Sequence, residues 1–91
     1  MRKTKRLISE VATAFAAEVK GRFPGSTPEV IYDSFDGFDV WVRIKAPPEL
    51  EDDVQEFISE LFGRFGLDTG VLVLGTFRPK AAEAALGGSR E

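Results

Sequence analysis

The chain contains no cysteine and no histidine. Without cysteine there is no disulfide scaffold, no thiolate metal site and no thiol nucleophile. Without histidine the usual general base near neutral pH is missing, as is the commonest transition-metal ligand. Tryptophan, tyrosine and methionine occur once each. No run approaches the roughly 18 apolar residues of a membrane span. Basic residues followed by LISEVATAFAA have the outline of a secretory leader, but Ser9, Glu10 and Thr13 interrupt the apolar stretch that a leader requires. The chain therefore reads as a soluble cytoplasmic protein with no membrane partner.

Chemistry-bearing motifs are equally scarce. No Gly-rich phosphate loop occurs, and no serine sits in a nucleophile elbow. Asp33, Asp36 and Asp39 surround one turn, but the strand register below points Asp33 and Asp39 to opposite faces. They do not converge on a hard cation, so no metal site is assigned. Glu49, Glu51, Asp52 and Asp53 are read as charges at the positive end of a helix dipole rather than catalytic carboxylates. No catalytic residue and no cofactor is assigned.

What is present fits one modest domain. Ninety-one residues, 43% hydrophobic and 30% charged, with eight phenylalanines, suffice for a single core. Net charge is −3, unevenly spread. Arg2, Lys3, Lys5 and Arg6 supply four of the 12 positive charges, leaving 8 against 15 acidic residues, or −7, for the rest. An acidic body argues against duplex DNA as the main partner. The basic start reads as a solvated helix end or tail.

The stretch Val30–Lys45 organises the remainder. Asp36-Gly37 between two β-rich runs signals a two-residue hairpin turn. That turn pairs Tyr32 with Trp41, Ile31 with Val42 and Val30 with Arg43. Opposed residues share a face. Ile31, Phe35, Phe38, Val40, Val42 and Ile44 then line the core, with Asp33 among them at the margin or on a donor. Val30, Tyr32, Ser34, Asp39, Trp41, Arg43 and Lys45 occupy the other face.

Helical periodicity flanks the hairpin. Ile8, Val11, Ala12, Phe15 and Val19 form one apolar stripe over residues 3–22, with Gly21 as a cap and Pro24 as a stop. Leu50, Val54, Phe57, Ile58, Leu61 and Phe65 form a second stripe over 48–65, with Gly66 as the capping glycine. Gly63-Arg64-Phe65-Gly66 has the G-x-x-G form of a KH nucleic-acid clamp, but that clamp joins two helices. Leu67-Asp68-Thr69-Gly70 leaves no room for another, and Asp68-Thr69-Gly70 reads as a turn. Val71-Leu72-Val73-Leu74 reads as a strand buried on both faces.

The expected fold is α+β: a two-layer sandwich of order α-β-β-α-β, with two helices on one face of a three-stranded mixed sheet. Residues 1–78 form the domain, and 79–91 a tail with a short helix that frays. Whether the third strand lies beside the first or the second is open. The helix-free face then presents Val30, Tyr32, Trp41, Arg43 and Lys45 as a binding surface. Its chemistry suits a non-catalytic protein-interaction or assembly module whose partner is another protein or a second copy of the chain. A single-stranded nucleic-acid or small-ligand binder using the same aromatic and basic face is the alternative. A carboxylate-based enzyme is the weaker one.

Overall fold

A computed structural model describes residues 4–32 and 37–80. The order is α1 (Lys5–Arg22), β1 (Thr27–Ile31), β2 (Val40–Ala46), a short 3-10 turn (Pro48–Leu50), α2 (Glu51–Thr69) and β3 (Val73–Pro79). The sheet order is β1-β2-β3, with β1 antiparallel and β3 parallel to the central β2. This is the expected mixed sheet, and it puts the third strand beside the second.

Both helices cover one face. Every second residue of β2 (Val40, Val42, Ile44, Ala46) is fully buried. These join Val11, Ala12, Phe15 and Val19 of α1 and Val54, Ile58 and Leu61 of α2 in a single core. The two helical stripes are thus the predicted ones. Thr4 caps α1, its hydroxyl accepting from the Leu7 amide, which satisfies one free amide of the first turn. Phe15 meets Phe65 and Phe23 meets Phe57 where the helices touch.

α1 ends at Arg22, as expected, but Gly21 lies inside it and the last carbonyl contact comes from the Phe23 amide. The end of α2 differs from expectation. α2 runs through Gly63, Gly66 and Asp68, and stops at Gly70 with φ of 79°. That left-handed cap needs glycine. Gly66 instead lies where a Cβ would sit 3.7 Å from Leu72, so it faces the chain entering β3.

The β1–β2 register is shifted by one residue from the two-residue-turn alignment. Ile31 lies opposite Trp41, Val30 opposite Val42, and Glu29 opposite Arg43. The physical reason is Glu29. The expected register set it against Ile44, on the apolar face, where an unpaired carboxylate is costly. The observed register turns it outward, where Arg43 Nη2 lies 2.7 Å from its Oε1. A one-residue shift exchanges the two faces of a strand, so Val30 moves to the core side. Asp33, Ser34, Phe35 and Asp36 lie outside the described residues, as do Arg2, Lys3 and 81–91, the bulk of the tail.

β3 is an edge strand rather than one buried on both faces. Val73 faces the helices, and a Cβ on Gly75 would meet Ile58. Leu74 and Thr76 point the other way and stay half-buried. The loop entering β1 is tied from two sides. Lys20 Nζ donates to the Pro24 and Ser26 carbonyls. Lys80 Nζ donates to the Gly25 carbonyl and the Thr27 hydroxyl, linking the end of β3 to the start of β1.

Candidate functional site

The helix-free face is a small grid. The paired positions form three rows across the strands: Ile31–Trp41–Leu74, Glu29–Arg43–Thr76 and Thr27–Lys45–Arg78. Just before β2 and β3, the Asp39 amide donates to the Leu72 carbonyl and the Leu72 amide donates to Asp39 Oδ2. Along β2 the face therefore passes from an apolar row to two rows with Arg43, Lys45 and Arg78.

Trp41 is fixed at the centre. Its indole Nε1 donates to Thr76 Oγ1 at 2.8 Å. The Arg43 guanidinium lies 5.4 Å from its ring centroid, within cation–π range. Arg43 in turn makes two hydrogen bonds to Glu29 Oε1. That hydrogen bond, followed by the guanidinium charge, lowers the Glu29 pKa from its ordinary value. Glu29, Arg43, Trp41 and Thr76 are thus one connected polar and aromatic chain across three strands.

Three of the expected site residues share this face: Trp41, Arg43 and Lys45. Val30 does not. It opposes Val42 and packs against the core. Tyr32 does not either. It lies past the end of β1, 60% exposed, with its hydroxyl 3.2 Å from Ser9 Oγ of α1. Ile31, Leu74, Thr76 and Arg78 take part instead. Ile31 is hidden from sequence reading by the register, and the β3 residues by the unknown strand order.

Two depressions lie elsewhere among the described residues. An open depression of about 560 Å³ lies between the helices, lined by Ala14, Ala17, Glu18, Gly21, Arg22 and Phe57. A second of about 510 Å³ is lined by Lys5, Ile8, Ser9, Tyr32 and Asp39. Neither combines a nucleophile with a base, or an acid with a base in hydrogen-bond reach. No group of three or more metal-ligating side chains occurs among the described residues. None of their helices is long and apolar enough to cross a membrane. Compared with known proteins, the chain matches no family, no curated protein and no solved structure.

Proposed function

We propose that this chain is a small non-catalytic assembly module that binds another protein surface through the helix-free face of its sheet. The observation that carries the reading is the fixed Trp41 between Ile31 and Leu74, with basic side chains along one end. Aromatic residues held in one conformation are the usual anchors of protein interfaces, because little side-chain freedom is lost on binding. The acidic side chains concentrate elsewhere: Glu51, Asp52, Asp53, Glu56 and Glu60 lie exposed on α2. The sheet face is therefore the less acidic side of an acidic protein.

Arg43, Lys45 and Arg78 favour single-stranded nucleic acid as the second reading. Against it, the Arg43 guanidinium already lies over the Trp41 ring, the surface that a stacked base needs.

Sedimentation velocity on the wild-type chain and on Trp41→Lys, from micromolar to millimolar concentration, tests the proposal. A sedimentation coefficient that rises with concentration in the wild type, and stays flat in a folded Trp41→Lys, supports it. A salt-sensitive shift of Trp41 emission with single-stranded oligonucleotides, in a chain that does not associate, replaces it with the second reading.

A further inference from the structure

We infer that the depression at the open end of the β1–β2 pair is a site for a small zwitterion, a free amino acid with an apolar side chain. Ile31–Trp41 is the last paired row of the two strands. Beyond it, Tyr32 and Asp39 line a hollow of about 510 Å³ together with Lys5, Ile8 and Ser9 of α1. The three α1 residues sit at i, i+3 and i+4, which puts them on one face of the helix. The strand ends and the helix thus bring one cation, one carboxylate, two hydroxyls and two apolar surfaces to one place. The hollow lies outside the three rows of the sheet face.

Asp39 is the fixed charge. Its Oδ2 accepts from the Leu72 amide at 2.8 Å, and its own amide donates to the Leu72 carbonyl. The half-buried carboxylate is therefore held in one place. It has a further interaction within the chain. An ionised carboxylate has about four lone-pair sites, so a ligand ammonium adds a donor and displaces none. Lys5 carries its charge on a flexible stem. It is exposed and has no ion-pair partner among the described residues. The Tyr32 hydroxyl lies 3.2 Å from Ser9 Oγ. That bond uses one of the two hydroxyl protons and leaves the other for an incoming acceptor.

Opposite charges in one hollow select against ligands of a single sign. A simple anion meets Asp39 and a simple cation meets Lys5, and like charges brought together cost binding. A zwitterion satisfies both. Its ammonium turns to Asp39, and its carboxylate to Lys5 and the spare hydroxyl proton. The apolar side chain then lies on Ile8, at the margin of the core, and on the Tyr32 ring, which the fold leaves 60% exposed. Covering that ring removes apolar surface from water, and an aromatic side chain adds an offset ring contact. The hollow falls within the range of about 300–1,000 Å³ of small-molecule sites. It is open to solvent, so binding is millimolar, the strength usual for a ligand of about 12 non-hydrogen atoms.

An NMR titration of the full chain with L-phenylalanine, N-acetyl-L-phenylalanine and L-phenylalaninamide tests the site. The first probe keeps both charges, the second only the carboxylate and the third only the ammonium. L-Phenylalanine is expected to shift the Ser9, Tyr32 and Asp39 signals along a saturable curve, and to bind roughly three- to tenfold more tightly than either derivative. Lys5→Gln, at an exposed helix position, is expected to remove the advantage over L-phenylalaninamide. Asp39→Asn, which keeps an acceptor for the Leu72 amide, is expected to remove the advantage over the acetyl derivative. The three probes are compared on the wild-type chain, so the test stands without the Asp39 variant should that fail to fold. Equal binding of all three overturns the inference and leaves an apolar hollow. An advantage over L-phenylalaninamide that survives Lys5→Gln overturns it as well. So do shifts confined to Trp41 and Thr76, which assign the ligand to the sheet face, and the absence of any saturable shift up to the solubility limit of the amino acid.

Discussion

Trp41 and Thr76 are joined across β2 and β3 by a side-chain hydrogen bond of 2.8 Å. The two strands are parallel neighbours, so the bond closes a contact between residues 35 positions apart. It lays the indole along the sheet toward β3, with the Arg43 guanidinium against the ring. The central aromatic of the proposed interface is thus held before any partner arrives.

Thr76→Val keeps the shape of the side chain and removes the acceptor. Trp41 Nε1–H then loses its partner in a half-buried setting. The expected cost is about 0.5–1.5 kcal/mol, the net value of one such bond. Chemical denaturation measures it, and the indole N–H resonance should move or broaden. An unchanged resonance means that Thr76 does not hold the ring.

Gly75→Ala tests how closely α2 sits on β3. An added Cβ meets Ile58 Cγ2, and Ile58 is β-branched and stiff at χ1. Overpacking of this kind costs about 1–3 kcal/mol. Ile58→Ala in the same chain removes the clashing atom. The double variant should be more stable than the sum of the two single losses, as contacting residues couple. Simple additivity would place α2 further from the sheet.

Leu61→Ala removes a side chain that is 1% exposed from the centre of the α2 stripe. The expected loss is about 2–5 kcal/mol. Set against a typical total of about 5–15 kcal/mol, it should move the denaturation midpoint visibly. An unmoved midpoint would mean that the cavity collapses fully or that α2 packs through another face.

These core positions were legible from the sequence because helix burial repeats every 3.6 residues and β2 alternates strictly. Trp41, Arg43 and Lys45 were legible for the same reason, since their face follows from the alternation within β2 alone. Val30 and Tyr32 depended on pairing with another strand. The Asp36-Gly37 signal outweighed a second one, Glu29, whose charge excludes the apolar face it was given. Reading Glu29 and Arg43 as partners recovers the observed register. The end of α2 was misjudged because Gly66 offers the same composition cue as Gly70, and only Gly70 adopts positive φ. Leu74, Thr76 and Arg78 depended on strand order, which periodicity does not encode.

The Glu29–Arg43 pair makes the register itself testable by pH. Arg43 lowers the Glu29 pKa, first through the hydrogen bond and then through its charge, with a smaller effect from Lys45. A carboxylate whose folded pKa lies below its unfolded one stabilises the fold above the unfolded value. That contribution is lost as pH falls through the lowered folded pKa, so the window lies below the ordinary carboxylate range. The pair is solvent-exposed, so its effect on stability is small, and a site-resolved titration is the better readout. The Glu29 carboxyl carbon in the wild type should titrate at lower pH than in Arg43→Gln, where the guanidinium charge is gone. A shared midpoint in both chains would remove Arg43 as its partner. It would also remove the ion pair that explains why Glu29 faces outward, and with it the physical reason for the one-residue shift of β1.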